Sequence, residues 1–275
     1  MSVFERPSCA TNVLIKEPLP ARGIVSSNPK RVERLLERAQ RDGLLTSVQQ
    51  HTDAGWGVVI YTASYLHIPL FVASVPMGSA GAGVAFFEMY AAGALAIVRC
   101  GSNDRGTTTE MLHDVVIVDM VDNIIGMAAD ACLDHHSDGT TTIPASTTLV
   151  SALEACSKKS ACPVKRMSCH NVEDYHAFNF PHFFYNAGGI SARIASLEAK
   201  HKDGTLHCWD METGALFLRA QQFGAHAATV LQCLIKMPGY SPYEGEHGII
   251  SLAMESTFYG IVLDSLATLQ LELQQ

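Results

Sequence analysis

Two kinds of hydrophobic pattern alternate along this chain. Short runs rich in β-branched and other apolar residues occur at 21–26, 58–63, 70–75, 94–100, 115–120 and 227–234. Between and after them, apolar positions recur every three or four residues over 29–41, 81–92, 146–157, 191–201, 213–223 and, at the end, from about 246 to 273. The first pattern predicts buried strands and the second predicts amphipathic helices. Strands that alternate with helices pack as a central sheet covered on both faces, so the expected architecture is a three-layer α/β/α sandwich around a parallel or mixed sheet.

Helix boundaries are marked locally. Asn28 is suited to cap a helix that starts with Pro29, and Val32, Leu35, Leu36 and Ala39 share one face before Asp42-Gly43 ends it. In the last helix Ile249, Leu252, Ala253, Phe258, Ile261, Val262, Leu266 and Leu269 form a broad stripe expected to lie on the sheet. The least regular stretch is 162–205, where HNVEDYHAFNFPHFFYNAGG reads as a long functional loop or insertion.

Composition narrows the setting. With 275 residues, 48% hydrophobic and 17% charged, the chain is read as one domain, 1–275, with ample material for a buried core. A formal charge of −8 and the lack of a dense Lys/Arg run argue against a nucleic-acid partner, while leaving room for a pocket with two or three cations. No stretch reaches the ~20 apolar residues of a membrane span. Glu5, Arg6 and Pro7 stand where a signal peptide would be apolar. The eight cysteines include no Cys-x-x-Cys pair, which suits packed thiols in a cytoplasmic protein. The Asp134-His135-His136-Ser137-Asp138 cluster lacks ligand spacing, so no metal site is expected.

Three segments carry a resemblance. SVPMGSAGAGVAFFEMYAAGALAIVRCGSNDRG (74–106) holds a strand, a Gly-rich turn at Val75–Gly78, a helix, and a second strand closing Val98-Arg99-Cys100-Gly101-Ser102. DMETGALFLRAQQFGA (210–225) has a Met-Glu pair at a helix start, and GIVSSNPKRVERL (23–35) has a strand-end turn before a helix. In this order and spacing they resemble the nucleoside phosphorylase family, which includes purine nucleoside and uridine phosphorylases, over most of the chain from about residue 21.

The resemblance implies a phosphorylase/hydrolase-like fold. It also implies cleavage of an N-glycosidic bond by inorganic phosphate, without a cofactor, in a dimer or a hexamer built from dimers. Such a reaction needs donors for phosphate, an acceptor for ribose hydroxyls and a group to stabilise the departing base. Arg31, Arg99, Ser102 and Ser27 map onto the phosphate positions, and guanidinium donors match phosphate oxygens. Both arginines are placed just beyond strand ends, and a cation ending an apolar strand requires an anionic partner or water. Glu212 maps onto the ribose acceptor and Met211 onto the apolar contact beneath the sugar. For the base, Asn171 and His176 are hydrogen-bonding candidates, Phe178 is a stacking candidate, and Lys236 is a possible stabiliser of an anionic base.

Several positions depart from the family pattern. Ser27 replaces a glycine that approaches phosphate, and Trp56 or Gly57 stands where a neighbouring subunit's arginine is expected. His51 is the first histidine, so the N-terminal histidine of the family is missing. Ile235 occupies the position of the purine-type aspartate, which tilts the expectation toward uridine. Three functions therefore stay open: phosphorolysis, a catalytically impaired paralogue that binds nucleoside or phosphate or partners an active subunit, and a nucleosidase using water. The region of Trp56 and the segment holding Phe86, Phe87 and Met89 are candidate subunit contacts, with core packing as the rival for the segment.

Overall fold

The structure is a computed structural model that describes residues 15, 17–53, 56–103, 114–122, 142–160, 162–199, 207–234 and 245–271. Its centre is a mixed ten-stranded sheet. The strands are β1 (Arg22–Ser26), β2 (Leu45–Asp53), β3 (Val59–Tyr65), β4 (Ile68–Ser74), β5 (Ala96–Asn103), β6 (Val115–Asp122), β7 (Ile143–Pro144), β8 (Val164–Asn171), β9 (His207–Asp210) and β10 (His226–Cys233). They lie in the order β2-β3-β4-β1-β5-β10-β6-β8-β9, with β7 attached to β6. Strands β4, β1, β5 and β10 run parallel, whereas β2–β3, β3–β4 and β10–β6 pair antiparallel.

Helices α1 (Pro29–Arg41) and α3 (Thr147–Lys159) both contact α7 (Gly245–Thr268) and the sheet, while α2 (Ser79–Ala91) packs against α6 (Thr213–Phe223). The core between these layers is mostly aliphatic, with Phe71, Phe86, Phe217 and Phe258 as its large fully buried rings. The first helix forms as its sequence dictates: the Asn28 side chain accepts from Arg31 N, Pro29 opens it, and Val32, Leu35, Leu36 and Ala39 are buried. In α7, Phe258, Ile261, Val262 and Leu266 are buried, as is Leu269 just beyond the helix end, but Ala253 is exposed. The side chains of Ile249 and Leu252 lie outside the described residues.

The stretch 162–205 is not a long loop. It supplies β8, a short helix α4 (Tyr175–Asn179), a 3-10 turn (Pro181–Phe183) and α5 (Ala187–Ala199). Polar residues alternate with Met167 and Cys169 in β8, so no continuous apolar run advertises that strand. The Asp134–Asp138 cluster lies outside the described residues. Among the described residues, no helix is long and apolar enough to cross a membrane, and no three His, Cys, Asp or Glu side chains gather as a metal site. The six described cysteines are buried free thiols.

Candidate active site

Because β1, β4 and β5 are parallel neighbours, the turns that follow them open on one end of the sheet, the usual location of ligands in such folds. The turn after β1 carries Ser27 and Asn28, and the turn after β4 runs to Gly78 at the start of α2. Arg99 lies inside β5 rather than beyond its end, and it reaches this edge through its long side chain. There Arg99 Nη2 donates to Asp210 Oδ1 at 2.8 Å, to Glu212 Oε2, and more weakly to Ser27 Oγ at 3.4 Å. Arg99 and Glu212 are both 2% exposed. Two sequence-predicted residues, one a phosphate candidate and the other a ribose candidate, are thus in direct contact.

Two glycines make this contact possible. Gly78 adopts φ +90°, a conformation L side chains rarely take, and its N–H donates to Glu212 Oε1 at 2.7 Å. Gly101 lies under the Arg99 side chain: a Cβ there would sit 2.0 Å from Arg99 Nη1 and 2.7 Å from Leu231 Cδ2. The glycine two residues after the arginine therefore lets the guanidinium lie against its own strand. Arg99 Nε and Nη1 are buried and have no hydrogen-bond partner among the described residues.

Asp210 was not among the sequence candidates. Its Oδ2 accepts from Thr213 N at 2.8 Å, Thr213 Oγ1 at 2.5 Å and Glu212 N at 3.2 Å, closing the N-terminus of α6, while its other oxygen holds Arg99. An aspartate whose carboxylate can take the N–H groups two and three residues on is a common device at turns and helix starts, and that signal was available in the sequence. The electrostatics follow from one cation facing two carboxylates. Burial opposes the Arg99 charge, but Asp210 and Glu212 outweigh it and hold the guanidinium above its ordinary pKa. Glu212 is pushed above the usual carboxylate range by burial; Arg99 pulls the other way and the Asp210 charge adds to the rise.

Arg31 lies on the other side of β5, where it is 3% exposed rather than on a solvated helix face. Its Nε donates to Glu255 Oε1 at 2.7 Å. Arg34 grips the same carboxylate with both nitrogens at 2.9 Å, and Tyr259 Oη reaches Glu255 Oε1 at 3.4 Å. Neither Glu255 nor Arg34 was singled out from sequence; a glutamate within a helical pattern gives no sign of its partner. Cys100, adjacent to Arg99 on β5, is pushed up to about 12 by burial, with the Arg31, Arg99 and Glu255 charges also acting on it. Arg31 also counts against the charge of Arg99. Three guanidinium groups and three carboxylates thus form one buried or half-buried cluster around the end of β5. Ser102 is half-buried, level with Gln232 and beyond the last β1–β5 pairing at Val25–Arg99, and strand alternation sets its side chain on the face opposite Arg99.

Beside Glu212, a small apolar cluster stands apart from the main core: Val172 and Trp209, with Phe178 and Met211 packed on them. The Phe178 and Trp209 rings are 5.2 Å apart. Asn171 is buried, and its amide is engaged in structure. It donates to Ser79 Oγ at 2.9 Å and Glu173 Oε1 at 2.6 Å, and accepts from Gly214 N at 3.2 Å. That ties together the starts of α2 and α6. His176 is exposed on α4, beside Tyr175. Ile235 and Lys236 lie outside the described residues. Of the candidate subunit contacts, Phe86 and Met89 are fully buried core, whereas Phe87 is 36% exposed and Trp56 76% exposed at the tip of the β2–β3 hairpin.

No family model and no curated protein sequence matches this chain. Solved structures do. The uridine phosphorylase of Vibrio fischeri ES114 aligns over 97% of this chain and 100% of its own, with a TM-score of 0.75 and 17% identity. The 5'-methylthioadenosine/S-adenosyl homocysteine nucleosidase of Campylobacter jejuni covers 91% and 100% at TM-score 0.68 and 12% identity. A futalosine hydrolase mutant of Helicobacter pylori strain 26695 covers 90% and 97% at TM-score 0.63 and 12% identity. The chain has the fold shared by these phosphorylases and nucleosidases. At such identities the likeness speaks for the fold, and the chemistry has to be argued from the site.

Proposed function

We propose that this protein cleaves the N-glycosidic bond of a nucleoside with inorganic phosphate, releasing the free base and ribose 1-phosphate. The observation that carries this reading is the Arg99–Glu212 contact: a buried guanidinium, two of whose nitrogens have no hydrogen-bond partner among the described residues, touches a carboxylate at the carboxyl end of parallel strands. A phosphate oxygen attacks C1′ of the ribose, the C1′–N bond breaks, and its electron pair leaves with the base. Arg99 and Arg31, with the Ser27 and Ser102 hydroxyls and backbone N–H groups, would hold the phosphate. Glu212 would accept hydrogen bonds from the 2′- and 3′-hydroxyl groups and favour the positive charge that grows on the sugar. Met211 lies beneath the ribose in this reading, and the Phe178–Trp209 pair forms the apolar wall for the base.

Uridine is taken ahead of purine nucleosides because Ile235 replaces the acidic residue of the purine pattern. Assembly at least as a homodimer, with exposed Trp56 reaching a neighbouring copy, belongs to the same proposal. The test is a chromatographic assay of purified protein against a nucleoside panel, with and without phosphate. Base released only with phosphate, together with ribose 1-phosphate, is expected. Equal release without phosphate makes the protein a nucleosidase.

A second reading has its own support. Arg31 and Arg99 are already matched by Glu255, Asp210 and Glu212, which is what an impaired paralogue that binds a nucleoside without turning it over would also need. Saturable nucleoside binding with no product under any condition would decide for it.

A further inference from the structure

We infer that Glu255 sets how strongly this chain holds phosphate, acting as a built-in competitor for Arg31. The inference rests on the phosphate-site reading above. Arg31 and Glu255 are 3% exposed as side chains and joined at 2.7 Å, so Arg31 cannot be a solvated cation awaiting an anion. The carboxylate is held from several directions. Arg34 takes both its oxygens at 2.9 Å, and Tyr259 Oη stands 3.4 Å from Oε1 while also reaching the Arg31 carbonyl oxygen at 3.3 Å.

The helix bearing Glu255 is fixed as well. Arg22 donates to the carbonyl oxygens of Leu266 and Leu269 at 2.8 and 2.9 Å, and Tyr65 Oη donates to Asp264 at 2.5 Å. Glu255 therefore does not swing away at small cost. A phosphate that engages Arg31 meets a like charge already seated on it, in a buried place where charges are weakly screened. Arg34 has the opposite effect. At 32% exposure it shares the same carboxylate, so Arg31 does not face its full negative charge alone.

The two residues should therefore move phosphate affinity in opposite directions. The experiment is calorimetric titration of the full chain with inorganic phosphate, in phosphate-free buffer and without nucleoside. Glu255→Gln keeps an acceptor for Arg31 but removes the charge, and its Kd should fall about tenfold. Arg34→Gln should raise the Kd by severalfold, clearly more than Arg41→Gln, which removes the same charge from the same helix at a residue 71% exposed and paired with Asp42. A Glu255→Gln protein that binds phosphate no tighter than wild type overturns the inference. Should that variant not fold, equal Kd values for Arg34→Gln and Arg41→Gln overturn it instead. Phosphate binding by none of the proteins, wild type included, removes the phosphate-site reading itself and this inference with it.

Discussion

The two sides of β5 hold their arginines in different ways. On one side, Arg99 meets Asp210 and Glu212, neighbours in sequence at the start of α6, and its Nε and Nη1 have no hydrogen-bond partner among the described residues. On the other, Arg31 meets Glu255, more than two hundred positions away on α7, in an ion pair shared with Arg34 and Tyr259. The Arg99 side is short of cation: one guanidinium faces two carboxylates, and one of these is raised in pKa. Among the described residues, the Arg31 side sets two guanidinium groups on one carboxylate. An incoming anion would therefore gain most on the second side, and a group that carries positive charge or donates hydroxyls would gain most on the first. In the proposed reaction, phosphate would then lie between Arg99 and Arg31, with ribose toward Glu212.

The comparison is broken most directly by removing each arginine in turn. Arg99→Met leaves two buried carboxylates without their cation and should cost about 3–5 kcal/mol of stability. Arg31→Met leaves Glu255 with Arg34 and Tyr259, so the loss should be smaller, about 1–3 kcal/mol. Denaturant unfolding of both variants measures this. Equal losses would show that the two sides are not held differently.

A kinetic contrast follows. Glu212→Gln should lower kcat/KM for nucleoside cleavage about 100-fold, because a neutral amide is a poorer partner for ribose hydroxyls and for the growing sugar charge. Asn171→Ala should act through stability and KM rather than through the chemical step, since its amide ties Ser79 to Gly214. Separate kcat and KM measurements test both variants. A larger fall in kcat for Asn171→Ala than for Glu212→Gln would return Asn171 to the site.

How far the site could be read in advance depended on where each partner lies in the chain. The strands 21–26 and 70–75 and the helices 29–41 and 213–223 were legible because burial writes a periodic pattern into the sequence. Arg99 and Glu212 were legible through local motifs, and Asp210 could have been, from its position just before the helix start. Glu255 could not: nothing near it in sequence says that α7 delivers its carboxylate to Arg31. Strands β8 and β9 were missed because Lys165, Arg166 and Ser168 interrupt one and the other has only four residues. In both cases pairing with neighbours, rather than local propensity, makes the strand.

Gly101→Ala asks whether Arg99 needs its particular path. The added methyl would meet Nη1 and Leu231 Cδ2, so either the guanidinium leaves its carboxylates or the strands shift, at about 1–3 kcal/mol. The same variant should weaken binding of both nucleoside and phosphate while leaving the Arg31–Glu255 pair in place, which calorimetry with each ligand would read.

The smallest expected effect concerns pH. Glu212 faces Arg99, Asp210 and the Gly78 N–H, and its pKa in the folded protein stands above the usual carboxylate value, chiefly through burial. A carboxylate raised on folding favours the fold while protonated in both states, and that contribution is lost as pH rises through its folded value, by about 1.4 kcal/mol for each unit of the rise. Wild-type stability should therefore decline over this window relative to Glu212→Gln, which has no proton to lose there. Thermal unfolding of both proteins between about pH 4 and pH 8 reads the difference. A gap that moves the other way with rising pH would mean that Arg99 dominates Glu212 after all. The Arg99 side would then be as well balanced as the Arg31 side, and the contrast between the two faces of β5 would disappear.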